Sequence, residues 1–198
     1  MKSTKKISLT GTSVAGLAVV LLASFYSLAV GQSSPEVFQA QAMGQGTQMG
    51  QTFGVTVYIE EYSTPEDQQI LLAAFNKAGN QGLVNALGKM HPKGRMAITG
   101  TLGYDVTYIR QWPTANGRKI RLVTNRPIRF GESWADSRSS DYNLSAIELD
   151  LSKEKGKSTG ILLPACQLKA SKTGGIEIEN YQNPWKLVGI LDRNPKRK

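Results

Sequence analysis

Short runs of alternating apolar and polar residues, separated by turn sequences, fill the chain from Arg95 to its C-terminal end. The pair Asn116-Gly117 is the strongest hairpin signal, because both positions of such a turn favour positive φ. Lys155-Gly156 and Thr173-Gly174-Gly175 mark two further turns between apolar runs. Consecutive strands joined by short turns form an antiparallel meander. This pattern therefore favours a sheet built from chain neighbours.

A strand and two helices are predicted ahead of this meander. Residues 53–62 (FGVTVYIEEY) alternate between apolar and polar side chains, which predicts a strand. Thr64 can cap a helix with Pro65 at its first position, and an apolar stripe at helical spacing follows. Gly79 is a natural helix stop, so we expect a second, shorter helix over Leu83–Met90.

These elements predict an α+β domain, an antiparallel β-meander of about eight strands with a helical pair inserted after the first strand. The helices should cover one face of the sheet, because their apolar stripe needs a partner. A meander of this length can also curl into a partly closed barrel. We expect a single globular domain over residues 53–192, preceded by a flexible Gln/Gly-rich linker over residues 32–52.

The first 31 residues have the features of a Sec-type signal segment. A basic run over residues 1–6 precedes an almost wholly apolar stretch from Val14 to Val30. Ala29-Val30-Gly31 is a small-x-small site, which predicts cleavage before Gln32. The alternative is an uncleaved anchor, since the uncharged stretch is long enough to span a bilayer. In both cases the domain lies outside the cytoplasm, either periplasmic or secreted, or held at the membrane by this segment.

Positive charge is concentrated at the two ends of the chain. The net charge is +9 over 198 residues, and the N-terminal run together with a basic tail over residues 193–198 supplies most of the excess. The domain between them is close to neutral, which argues against nucleic acid as a partner, because a nucleic-acid groove needs clustered charge. We expect membrane contact only through the N-terminal segment, if it is uncleaved.

The chain lacks the residues that most catalytic sites require. The sequence holds one histidine, His91, and one cysteine, Cys166, so no His/Cys zinc set can form. No phosphate-binding loop motif is present. Cys166 lies in an apolar run (ILLPACQL), which predicts a buried, unreactive thiol. We therefore expect no cofactor and no metal, and a non-enzymatic ligand-binding or envelope-associated module whose partner is an unknown ligand or envelope component.

The connection over residues 126–142 is the candidate ligand site. It combines arginines, acids and aromatic residues in a loop, and loops carry binding residues more often than strands do. Arginine binds anions with paired hydrogen bonds, and tryptophan offers a stacking surface. The candidate ligand-binding residues are Arg126, Arg129, Trp134, Asp136, Arg138 and Asp141.

Two alternatives to a ligand site remain open for this connection. It is also compatible with an ordinary long loop pinned by Arg–Asp pairs. A carboxylate-dependent hydrolase acting on an envelope or extracellular substrate would instead use the acids of residues 132–141 for catalysis.

Four segments of the chain resemble a group of exported bacterial proteins with no assigned activity. They are YIEEYSTPEDQQ, the LGKM–KGRMAITGTLGYDVTYIR stretch, the NRPI–F–E segment and RSSDYNL. The likeness covers most of residues 53–191. It implies export and a single domain, and it supplies no catalytic residues.

Overall fold

The computed structural model describes residues 34–128, 142–171 and 175–194. Within these ranges the chain forms nine strands, one α-helix and one turn of 3-10 helix over Gly46–Gln48. The helix is α1 (Pro65–Leu87), and the strands are β1 (Glu36–Gly44), β2 (Thr52–Ile59), β3 (Gly94–Ile98), β4 (Tyr104–Thr114), β5 (Gly117–Thr124), β6 (Leu144–Ser152), β7 (Thr159–Ala170), β8 (Ile176–Gln182) and β9 (Trp185–Asp192).

Eight of these strands close into an antiparallel barrel. Their order is β6-β5-β4-β3-β2-β1-β9-β7, and pairing between β6 and β7 completes the circle. The ninth strand, β8, pairs with the second half of β7 outside the barrel. The predicted antiparallel meander is confirmed from β1 to β8, whereas β9 does not pair with β8 and instead lies between β1 and β7. The barrel is closed rather than partly closed.

Residues 36–44 form a barrel strand, although the sequence predicts a flexible linker over residues 32–52. β1 pairs along one edge with β2, from Glu36 opposite Ile59 to Met43 opposite Thr52. Its other edge pairs with β9. Phe38 and Ala42 are buried inside the barrel. The linker prediction is wrong for this stretch, because pairing on both edges and burial of alternate residues stabilise a strand of low intrinsic propensity.

A single helix, rather than the predicted pair, packs on the barrel, and it follows the second strand instead of the first. Its N-terminus is a capping box, in which Asp67 N donates to Thr64 Oγ1 at 3.2 Å and Thr64 N donates to Asp67 Oδ2 at 2.8 Å. Ala78 and Gly79 have non-helical backbone angles, and Gly79 has a positive φ of 55°. The predicted stop is therefore a kink within one helix, because buried residues on both sides of it, Leu71 and Leu83, join the same apolar cluster.

Apolar side chains fill two separate cores. The barrel interior holds residues from every barrel strand, including Val57, Ile109 and Leu149. A second core lies outside the barrel, where α1 and β8 cover one side of the sheet. Cys166 lies in this outer core with no exposed surface, as predicted, and burial raises the pKa of its thiol to about 12.

One end of the barrel is closed by the chain itself. We call it the far end, and it is where β5 ends and β6 begins. Ile128 is fully buried there, and its N–H donates to Ser145 Oγ at 2.6 Å and to the Pro164 carbonyl at 3.0 Å. The Phe53 and Trp185 rings pack nearby with centroids 4.6 Å apart. The opposite end, where β1 and β5 begin and β9 ends, is open, and we call it the mouth.

Candidate functional site

A cavity of about 400 Å³ lies at the mouth, and we call it the mouth cavity. The beginnings of β1 and β5 and the ends of β6 and β9 surround it. This volume falls within the range of about 300–1,000 Å³ that is usual for small-molecule sites, and the mouths of β-barrels are common places for such sites. The residues that line it are Phe38, Gly117, Arg118, Leu151, Ser152, Lys153, Ser158, Ile190 and Asp192.

Arg118 is held in the mouth by a network of polar side chains. Its Nη1 donates to Gln111 Oε1 at 2.7 Å, to Glu36 Oε1 at 3.2 Å and to Tyr62 Oη at 3.3 Å. Its Nη2 donates to the other oxygen of Glu36, so the ion pair is bidentate. The Tyr62 hydroxyl donates to Glu36 Oε1 at 3.1 Å. The network fixes the guanidinium before any ligand binds, because each of its groups has at least one partner.

The network also sets the protonation states of its members. Burial, together with the neighbouring Glu36 carboxylate, raises the pKa of Tyr62 well above its ordinary value of 10.0. Tyr62 therefore remains a neutral phenol that can donate to Glu36. The hydrogen bonds with Glu36 raise the pKa of Arg118, which remains a cation.

Arg118 keeps hydrogen-bonding capacity toward the cavity. Its side chain is 33% exposed, whereas that of Glu36 is 6% exposed. Within the part of the chain that the structure describes, Arg118 Nε has no hydrogen-bond partner. The guanidinium lies over the Phe38 ring, with its Cζ 5.9 Å from the ring centroid. The Phe38 ring thus forms the floor of the mouth cavity, and the Arg118 guanidinium lies above it in a fixed orientation.

A β-bulge turns Ile190 into the mouth cavity. Along β1 and β9, Gln41 pairs with Val188 and Gln39 pairs with Leu191, so two residues of β9 oppose one residue of β1. Gly189 has a φ of 61°, a backbone conformation that is unfavourable for a residue with a side chain. Without the bulge, strict alternation would place Ile190 on the outer surface of the barrel.

Polar groups of the β6–β7 turn form part of the rim. Residues 156–160 (GKSTG) match the G-x-S-x-G pattern of a nucleophile elbow. That elbow joins a strand to a helix, whereas here the segment leads from a turn into strand β7. Ser158 Oγ accepts a hydrogen bond from Ser152 N at 3.0 Å. Ser158 therefore fastens the rim of the mouth cavity, and its surroundings are not those of a nucleophile.

The sequence-predicted site is only partly within the described residues. Arg126 lies at the far end, where its carbonyl accepts from Thr124 Oγ1 at 2.6 Å and from Ser145 Oγ at 3.0 Å. Its guanidinium lies over the Tyr104 ring at 5.2 Å from the centroid. Arg126 is thus away from the mouth cavity. The other predicted site residues lie outside the described residues, and they are Arg129, Trp134, Asp136, Arg138 and Asp141.

Sequence reasoning missed the residues that line the mouth, because they come from separate strand ends. Two signals were present in the chain. The alternation of Phe38, Ala40 and Ala42 with glutamines indicates a strand where a linker was predicted. The isolated Gly189 inside the last apolar run indicates a bulge. Neither signal alone indicates that Glu36 and Arg118 meet.

The described residues contain no group of three or more His, Cys, Asp or Glu side chains placed to hold a metal ion. Across residues 34–128, 142–171 and 175–194, no helix is both long enough and apolar enough to cross a bilayer. Comparisons of the chain with protein-family models, with curated proteins and with solved structures gave no match.

Proposed function

We propose that this protein is an exported, non-enzymatic binding protein that holds a small amphiphilic molecule in the mouth cavity. The observation that carries the proposal is the position of Arg118 in a cavity of about 400 Å³ at the open end of a closed barrel. Barrels of about eight strands hold either packed side chains or one small ligand. This barrel is packed at its centre, and its free volume lies at the mouth.

The lining of the mouth cavity supports a ligand with an apolar body and one hydrogen-bond acceptor. Phe38, Leu151 and Ile190 offer apolar surface. Arg118 can donate from Nε, and Lys153 supplies an exposed ammonium at the rim. Because Glu36 already neutralises Arg118, the acceptor need not carry a full charge. A carbonyl or a carboxylate on an otherwise apolar molecule fits these donors.

The carboxylates at the mouth favour binding over hydrolysis. Both oxygens of Glu36 are engaged by Arg118, and one of them also accepts from Tyr62. Asp192 Oδ1 accepts from the backbone N–H of Asn194 at 2.9 Å and from its side-chain amide. A general acid or base has to reach its substrate, whereas both oxygens of Glu36 and Oδ1 of Asp192 are used within the protein. The alternative hydrolase would depend on the acids of residues 132–141, which lie outside the described residues.

A neutral fluorescent ketone such as prodan tests the mouth cavity directly. We expect its emission to shift to the blue and to increase on binding, since it leaves water for an apolar site. Ile190→Trp should abolish this binding by filling the cavity. Leu191→Trp is the matched control, because Leu191 is the next residue on β9 and is 51% exposed on the outer surface. Equal binding by the two variants, with both folded by circular dichroism, would refute the site.

Native purification tests the same proposal without a chosen probe. Protein isolated from its host should release a small amphiphile on denaturation, detected by mass spectrometry, and Ile190→Trp should release much less of it.

The export part of the proposal rests on the N-terminal segment alone. N-terminal sequencing of protein from the cell envelope should give Gln32 as the first residue, and an intact Met1 in the membrane fraction would establish an anchor instead.

A further inference from the structure

Two arginines face each other on the outer surface of the barrel, away from the mouth. Arg110 on β4 pairs directly with Arg121 on β5 in the strand register. Like charges in directly opposed positions destabilise a strand pair unless something compensates them. Both guanidinium groups therefore need a compensating negative charge.

Arg121 has its counter-charge within the protein. Its Nε donates to Glu148 Oε1 at 2.7 Å, and its Nη2 completes an ion pair with the same carboxylate. Its Nη1 donates to the Ile176 carbonyl, which fastens the start of β8 over the outer surface. The side chain is 15% exposed. Its guanidinium Cζ also lies 5.2 Å from the centroid of the Trp112 ring.

Arg110 has no such counter-charge. Among the described residues no carboxylate lies within ion-pair distance of it. The residue is exposed and stands beside the compensated Arg121. The Arg110 guanidinium lies beside Gly175, where an added Cβ would be 3.2 Å from Arg110 Nη1. Arg110 is thus an exposed cation with no ion-pair partner among the described residues.

These groups line a cavity of about 250 Å³, which we call the outer cavity. Trp112 gives it an aromatic wall, and the nearly fully buried Tyr108 also lines it. Glu177 also lines it, and its Oε1 accepts from Ser171 Oγ at 2.6 Å. The lining residues are Tyr108, Arg110, Trp112, Arg121, Gly175, Ile176 and Glu177.

We propose that the outer cavity binds a small, planar organic carboxylate. Its carboxylate group pairs with the Arg110 guanidinium and supplies the missing negative charge opposite Arg121. Its flat body lies against Trp112. A guanidinium suits a carboxylate because the two planar groups can form parallel hydrogen bonds. This site is separate from the mouth cavity and does not depend on the function proposed there.

Benzoate and benzamide are the probes that test this site, since they share a shape and differ in charge. Their binding is followed by NMR through the indole N–H signal of Trp112, assigned from its loss in Trp112→Phe. Benzoate should shift this signal to saturation, and benzamide should not. Arg110→Gln should weaken benzoate binding about tenfold or more, the effect of losing one charge-assisted hydrogen bond.

Arg95→Gln is the matched control. Arg95 also lies on a barrel strand and packs over an aromatic ring, with its Cζ 5.6 Å from the centroid of Tyr58, and it does not line the outer cavity. This variant should leave benzoate binding unchanged, as should the mouth variant Ile190→Trp. The proposal is overturned if benzoate gives no saturable shift, if benzamide binds equally well, or if Arg95→Gln weakens binding as much as Arg110→Gln does.

Discussion

Glu36 and Arg118 lie 82 residues apart in the sequence and form an ion pair across the mouth of the barrel. Glu36 is the first residue of β1, and Arg118 is the second residue of β5. In the closed barrel three strands separate β1 from β5 in either direction, so the two strands are diametrically opposite. The ion pair therefore spans the opening and joins its two sides.

Arg118→Met should lower the free energy of unfolding by about 2 kcal/mol, because it leaves the Glu36 carboxylate buried without its counter-ion. Removing one partner of a fully buried pair costs about 3–5 kcal/mol, and the partial exposure of Arg118 reduces this. Urea unfolding measures the change. The control is Glu36→Gln/Arg118→Met, which removes the stranded charge and should recover part of the loss. If the double variant is no more stable than Arg118→Met, the loss of stability does not come from an unpaired Glu36 carboxylate.

Lys93→Met should reduce stability in a way that depends on pH. Burial by itself lowers the pKa of Lys93, but its hydrogen bond to Glu61 at 2.8 Å and its ion pair with Asp67 at 3.2 Å outweigh burial and raise the pKa above 10.5. Because the folded-state pKa is raised, the contribution of this group is complete below the unfolded-state pKa and is lost as the pH rises through the folded-state pKa.

The difference in unfolding free energy between wild type and Lys93→Met should therefore be constant near neutral pH, at about 1–2 kcal/mol. It should shrink as the pH rises above the ordinary lysine pKa of 10.5. Denaturant unfolding of both proteins across this range measures it. A difference that grows with pH would show that Lys93 is not held as a cation.

Cys166 should resist thiol reagents in the folded protein. Its side chain is fully buried, and the burial that raises its pKa to about 12 leaves almost no thiolate at neutral pH. An aromatic disulfide reagent should react within seconds in urea and over hours in native buffer. Cys166→Ala should cost about 1 kcal/mol of stability for the small volume lost. Rapid labelling of the native protein would place the thiol at the surface instead.

Gly189→Ala should destabilise the protein by about 1–2 kcal/mol, because alanine is strained at positive φ. A steric clash does not contribute to this loss of stability, since an added Cβ at this position has no atom within 4 Å among the described residues. Gly189→Asn should cost less, as asparagine adopts this conformation more readily. Thermal melting compares the two variants. We also expect weaker prodan binding by Gly189→Ala, because a straightened β9 turns Ile190 out of the mouth cavity.

Sequence reasoning predicted the elements whose signals are local. The predicted hairpin does join β4 to β5, but its turn residues are Ala115 and Asn116, because Gly117 already pairs with Thr114 as the first residue of β5. Neither Asn116 nor Gly117 has the positive φ that the sequence predicts. The helix does begin after Thr64, as its capping residues indicate. β1 was missed because its alternation uses alanine and glutamine, which resemble a linker in composition. Its pairing partners, β2 and β9, supply the stability that its own residues lack.

The mouth cavity could not be predicted in the same way. Its members are unremarkable in sequence: Glu36 and Arg118 are charged residues at strand ends, and Ile190 is an apolar residue in an apolar strand. Their meeting depends on closure of the barrel and on the bulge at Gly189, which are both properties of the paired sheet. The connection over residues 126–142 is the clearer candidate in the sequence, because its arginines and aromatic residues are close together in the chain.

Pairing between β1 and β9 also determines when the fold can be completed. Val37 N donates to Asn194 Oδ1 at 2.6 Å across 157 positions of sequence. The β4–β5 hairpin forms between neighbouring residues of the chain. The pairing of β1 with β9 instead needs two strands from opposite ends of the domain sequence. Contacts between such distant segments form late and slow folding. Until β9 pairs, β1 and the first half of β7 each present an unpaired edge to other chains. This protein is therefore most prone to aggregation as an open sheet, before β9 pairs with β1 and closes the barrel.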